Sequence, residues 1–172
     1  MDRTEWLNRL EALHVRRRDG DALPEADLAW YDTARRALLA TAVEVQARPV
    51  AHGERTRGSI RVSRPVHVLL EHRSWAEPTF TVDLGTGGFA VLLEAQPPMA
   101  DRFDATLLLP GGSPLRAAVA VVDTRASGGL VRIAFAFSEP TPELRTRIED
   151  AMMDGVLEQL VFWDDVLAKL EA

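Results

Sequence analysis

The sequence contains no cysteine. Disulfide scaffolds, thiolate metal sites and cysteine nucleophiles are all excluded by that one absence. Lysine is almost missing too: Lys169 is the only one, so nineteen of the twenty basic side chains are arginine. No apolar run approaches the roughly 18 residues that a bilayer-spanning helix needs. The opening residues, Met1-Asp2-Arg3-Thr4-Glu5, lead into no apolar signal core. The expectation is a cytoplasmic protein that does not engage a membrane. Basic charge is outnumbered, with 20 Lys+Arg against 26 Asp+Glu and a net charge of −6 over 172 residues. Such a balance disfavours binding to a long polyanion, so no nucleic acid is expected as a partner. Aromatics are sparse at 6%, yet a 47% hydrophobic, 27% charged composition supports a folded core rather than disorder.

Catalytic constellations are also missing. His14, His52, His67 and His72 have no metal-ligand spacing. The pairs Glu149-Asp150 and Asp164-Asp165 fall on an amphipathic helical pattern, where a solvated face is the default over a carboxylate dyad. Ser59, Ser63 and Ser113 lack the strand–elbow–helix setting of a hydrolase nucleophile. Gly85-Thr86-Gly87-Gly88 is glycine-rich but is followed by no lysine, so it is no NTPase phosphate loop. No enzyme activity, metal or cofactor is expected.

What is present is ordered by periodicity. Trp6, Leu10 and Leu13 step by four and three, the mark of one helical face, and Gly20 between two aspartates stops it. Pro24 suits the first turn of a second helix, with Glu25 and Asp27 at its positive end. Leu28, Tyr31, Leu38, Ala42 and Val45 continue an apolar face towards Pro49. Residues 1–48 therefore read as an antiparallel helical pair. From about residue 60 the period changes to two. Six short strands are expected, at Val66–Leu70, Thr79–Leu84, Phe89–Leu93, Phe103–Leu109, Leu115–Val122 and Val131–Phe137. Turns at Gly85–Gly88, Pro110-Gly111-Gly112 and Ser127-Gly128-Gly129 separate several of them. A small antiparallel barrel over 49–139 follows, closed so that no strand edge is exposed. Residues 140–172 read as one long amphipathic helix, opened by Thr141 as N-cap. Its seam of Met153, Val156, Leu160, Trp163, Leu167 and Leu170 steps 3-4-3-4-3. Such a helix requires a partner: the barrel or the N-terminal pair of its own chain, or, as the expectation placed first, its copy in a homodimer joined through the helical extensions. The fold class is thus α+β, mainly β: a six-stranded barrel between an N-terminal helical pair and a C-terminal helix.

Two features remain that could bind something. Residues 50–74 carry Arg55, Arg57, Arg61, Arg64 and Arg73 against Glu54 and Glu71, an electropositive window inside an acidic chain. Within it, Arg57-Gly58-Ser59-Ile60-Arg61 places two arginines four apart just ahead of the first strand. A guanidinium fork bonds phosphate oxygens or the O6/N7 edge of guanine, and its face stacks on a base. The second feature is Asp83-Leu84-Gly85-Thr86-Gly87-Gly88, a carboxylate followed by a glycine turn. A carboxylate complements the N1–H and N2–H donors on guanine's other edge, and Gly88 would allow a close ligand approach.

These two motifs resemble those of the PilZ domain family, the bacterial receptor module for the second messenger cyclic di-GMP. That family carries Arg-x-x-x-Arg before its first barrel strand and Asp/Asn-x-Ser-x-x-Gly at the second-to-third strand turn. Arg57 and Arg61 match the first motif; Asp83 and Gly88 match the ends of the second, and Gly85 stands where the motif has serine. Leu107-Leu108-Leu109-Pro110-Gly111-Gly112 and the stretch Gly129–Phe137 also follow the family's course, so the resemblance covers about residues 54–150. It implies a non-enzymatic nucleotide-binding role in second-messenger signalling. Arg57 and Arg61 would clamp cyclic di-GMP, Asp83 would accept from guanine, and Gly85 and Gly88 would lie against the ligand. Arg64 and Arg55 are helpers with no motif behind them. The linker Gln46–Ser59, with Pro49 and Gly53, is expected to be ordered by ligand and so to signal to a downstream protein through the helices. The competing expectation is a PilZ-like interaction or assembly protein whose pocket, degenerate at Gly85, binds no cyclic di-GMP.

Overall fold

The computed structural model describes residues 2–47, 60–110 and 112–159. Arg55, Arg57, His52 and Ser59, the linker from 48 to 59, Asp164-Asp165 and the seam from Leu160 onward lie outside the described residues. The chain divides into two compact units, Met1–Ile60 with Met153–Ala172, and Arg61–Met152.

In the first unit, α1 (Arg3–Arg18) and α2 (Glu25–Ala47) form the expected pair. Asp2 caps α1 by accepting from the Glu5 amide at 2.9 Å, and Arg16, Arg17 and Arg18 sit at the negative end of the helix. Leu10, Leu13, Tyr31, Leu38 and Ala42 are buried as the period requires. Leu28 is not: in the first turn of α2 it is 40% exposed. Trp6 of α1 meets Trp30 of α2 edge-on, with the Arg9 guanidinium 4.4 Å from the Trp30 ring centre and bonded to Asp27 at 3.0 Å.

A buried polar cluster completes this unit. His14 contacts the Tyr31 hydroxyl at 2.7 Å through Nδ1 and the Asp154 carboxylate at 2.9 Å through Nε2. Arg18 donates to the same Asp154 oxygen at 3.1 Å. Burial alone would lower the Arg18 pKa, but the Asp154 charge and hydrogen bonds to Asp19 and Asp154 outweigh it and raise it. Asp154 lies in α3 (Pro142–Gln159). The first two positions of the C-terminal seam, Met153 and Val156, are fully buried within the single chain.

The second unit is the barrel. Its strands are β1 (His67–His72), β2 (Trp75–Gly85), β3 (Gly88–Leu93), β4 (Phe103–Leu108), β5 (Leu115–Ser127) and β6 (Leu130–Ser138). They close in the order β1-β2-β3-β6-β5-β4, every pairing antiparallel. Alternation sends one row inward: Val68 and Leu70, Phe89 and Val91, Phe103 and Ala105, and Ile133 and Phe135 are all buried. Phe135 anchors this interior, stacked at 5.4 Å on Phe89 and edge-on to Phe103 at 5.7 Å. The β5–β6 turn, Gly128-Gly129, has positive φ at both residues, +59° and +86°, as a two-residue primed turn demands. Thr141 caps α3 through its hydroxyl, which accepts from the Leu144 amide at 3.2 Å. Leu144, Ile148, Ala151 and Met152 are buried, and Arg147 donates to the carbonyls of Ser113 (2.6 Å) and Leu109 (3.2 Å).

Candidate functional site

The site forms where the chain enters the barrel. Residues 60–66 make no full strand, but they are pinned along β2. Val62 and Leu84 exchange both backbone hydrogen bonds at 2.9 Å. Four residues on, the Thr81 amide donates to the Val66 carbonyl and the Val66 amide donates to the Thr81 hydroxyl, both at 2.9 Å. That hydroxyl in turn donates to the Arg64 carbonyl at 2.5 Å. Arg61 and Asp83 each precede a member of the Val62–Leu84 bridge, and this brings their side chains together.

A β-bulge aims Asp83. Thr81 opposes Val91, Asp83 opposes Ala90, and Val82 is the extra residue. Strict alternation from the inward Thr81 would have turned Asp83 inward as well. The bulge gives two successive outward residues, Val82 and Asp83, before Leu84 re-enters the core. On the outer row Asp83 then faces Ala90 of β3, which in turn faces Ala134 of β6. Both alanines are buried, at 0% and 6% exposure, and their small side chains make a low floor under the cluster.

Over that floor the Arg61 Nη1 donates to Asp83 Oδ1 at 2.5 Å. Arg132 of β6 donates through Nη2 to the other oxygen, Oδ2. The three side chains retain 28%, 19% and 31% exposure for Arg61, Asp83 and Arg132, so the cluster is reachable from solvent. Two guanidinium groups on one carboxylate leave a net charge of +1, suited to an anion. Arg125 of β5 lies directly opposite Arg132 in the β5–β6 register and bonds Asp123 at 2.8 Å.

Of the residues singled out from sequence, Arg61 and Asp83 are therefore in direct contact. Gly85 ends β2, buried, and pairs with Gly88 across the Thr86-Gly87 turn. Gly88 is needed by the barrel itself: φ is +156°, and a Cβ there would lie 1.9 Å from the Phe135 carbonyl oxygen. The Arg64 side chain is half-buried, and its carbonyl serves the Thr81 bond described above. Arg132 went unread. It occupies an outward position in a strand identified by its alternation, and nothing in its distance along the chain ties it to residue 83.

The PilZ domain family model matches residues 52–154, more than half of the chain. The chain belongs to the PilZ domain family. Solved structures with the same barrel agree with this fold. The inhibitor of motility MotI/DgrA of Bacillus subtilis superposes with a TM-score of 0.53 at 14% identity, covering 63% of this PilZ chain and 53% of that one. YcgR of Escherichia coli, solved in complex with c-di-GMP, gives 0.53 at 18% identity over 64% and 50% of the two chains. The MrkH–c-di-GMP complex of K. pneumonia gives 0.52 at 15% identity over 63% and 56%. The PilZ chain thus spans about half the length of each of these three proteins. No curated protein matches it. Among the described residues no helix is long and apolar enough to cross a membrane.

Proposed function

We propose that this PilZ protein is a cyclic di-GMP-binding effector that catalyses no reaction. The observation that carries the reading is the 2.5 Å contact between Arg61 and Asp83, which joins the two family motifs across 22 residues of sequence. A guanidinium and a carboxylate side by side offer donors to phosphate or to guanine O6/N7, and acceptors to guanine N1–H and N2–H. Arg57 supplies the second clamp. YcgR and MrkH, which share the fold, were solved with the same ligand.

Ligand held by Arg57 and Arg61 fastens the segment before the barrel and passes the signal to a protein partner through the helical extensions. That step requires only a difference in ligand affinity between two states of the segment. The protein acts in the cytoplasm, as a homodimer joined through those extensions.

Titration calorimetry of the purified protein with cyclic di-GMP tests the reading. A charge-assisted contact contributes about 1.5–3 kcal/mol, so Arg61→Ala should weaken binding roughly 10- to 150-fold. Wild-type affinity in Arg61→Ala and Arg57→Ala would remove the clamp. No binding by the wild-type protein would leave a PilZ scaffold with a silent pocket.

A further inference from the structure

The third member of the ion cluster has no place in either motif. We propose that Arg132 is a positioning residue of the nucleotide site: it holds Asp83 so that the carboxylate presents its remaining acceptor positions to guanine. The inference rests on the cyclic di-GMP reading above and deepens it by assigning the base selectivity of that site.

An ionised carboxylate has two oxygens and about four acceptor positions. In this structure Arg61 takes one position on Oδ1 and Arg132 takes one on Oδ2. One position per oxygen is left over. Guanine's N1–H and N2–H are parallel donors that match the two oxygens of one carboxylate, as an arginine fork does. Held by Arg61 alone, the carboxylate could turn about its Cβ–Cγ bond. Held at both oxygens, its plane is fixed before the ligand arrives.

The placement of Arg132 suits that task. It projects from β6, a strand paired on both sides within a closed barrel, rather than from a loop. The buried alanines at 90 and 134 leave its long side chain a clear path across the outer face to β2. Arg125 stands directly opposite, its own charge met by Asp123 at 2.8 Å, so it leaves the Asp83 carboxylate to Arg61 and Arg132. Arg132 also supplies an anchor at Asp83 in a chain whose second motif has lost its serine hydroxyl at Gly85.

The test is calorimetric titration of the full chain with cyclic di-GMP and with its inosine analogue, which lacks the 2-amino donor. The wild-type protein should prefer the guanine ligand on the order of tenfold. Arg132→Gln should lose on the order of tenfold in cyclic di-GMP affinity, and its guanine preference should fall towards one. Adding Arg132→Gln to Asp83→Ala should cost nothing further, because the effect runs through the carboxylate. Wild-type affinity and selectivity in Arg132→Gln, alongside lost binding in Arg61→Gln, overturns the inference and leaves the nucleotide reading standing. Independent, additive losses from Asp83→Ala and Arg132→Gln also overturn it, since Arg132 would then touch the ligand itself. A wild-type protein that takes up neither ligand sinks the nucleotide reading and this inference together. Thermal unfolding checks each variant. If Arg132→Gln does not fold, Arg132→Lys, a cation without the planar fork, carries the same comparison: reduced selectivity supports the proposal and unchanged selectivity overturns it.

Discussion

Replacing Gly88 by alanine separates a barrel requirement from a ligand requirement. The motif position suggests a glycine that admits ligand, and loss of binding in Gly88→Ala would ordinarily be taken that way. The structure points elsewhere. The added methyl would lie 1.9 Å from the Phe135 carbonyl oxygen and 3.0 Å from Ala136 Cα, both backbone atoms of β6. Neither can move without shifting the strand, and Phe135 is the aromatic centre of the core. Overpacking of this kind costs about 1–3 kcal/mol. The backbone at φ +156° costs an L side chain about 1–3 kcal/mol more. Together the loss is roughly 2–6 kcal/mol, a large share of the 5–15 kcal/mol typical of a folded domain. At roughly 2–4 °C per kcal/mol for a chain of this size, the melting temperature should fall by about 4–24 °C. The assay is thermal unfolding by circular dichroism with no ligand present. An unchanged ligand-free melting temperature, combined with lost cyclic di-GMP binding, would refute the packing argument and return Gly88 to the ligand.

Three further outcomes are expected. Gly85→Ser restores one hydroxyl to the motif and should tighten cyclic di-GMP binding by roughly 2- to 12-fold, measured by calorimetry. Asp154→Ala strips the shared acceptor from His14 and Arg18; with Asp154 only 7% exposed but Arg18 at 30%, the loss should be about 2–4 kcal/mol by urea unfolding, and a value under about 0.5 kcal/mol would show the cluster to be inert. Hydrogen exchange across residues 46–61 should slow on adding cyclic di-GMP, and identical rates with and without ligand would remove linker ordering as the signalling step.

The architecture was legible because it is written in short-range periodicity. The alternation Val131, Ile133, Phe135, Phe137 against Arg132, Ala134, Ala136 located β6 and its inward row, and the Pro-Thr-Pro-Glu run located the start of α3. Other boundaries carry no local chemical signal. β1 and β2 run on to His72 and Trp75 and turn through Arg73-Ser74, with Arg73 at φ +53°. No glycine or asparagine marks that turn, so nothing local extends the period of either strand to it. Leu28 fits the helical period, but in the first turn of α2 it remains largely exposed. The site was half legible. Arg61 and Asp83 carry motif spacing, whereas Arg132 reaches Asp83 only through strand order, 49 residues on. The His14–Asp154 pair spans 140 residues, a separation at which nothing in a single sequence marks two side chains as neighbours.

The β5–β6 hairpin has a practical consequence. Its residues are exposed from Thr124 to Leu130 and end in a two-glycine tip, where an added methyl would meet nothing within 4 Å. Below that tip Arg125 and Arg132 face each other across the hairpin. A cysteine placed at Ser127 would be unique in the chain, since the sequence has none, and could carry a single environment-sensitive dye. The molecule thus comes with a built-in handle for an optical reporter, a few residues from the charges that an arriving nucleotide would disturb.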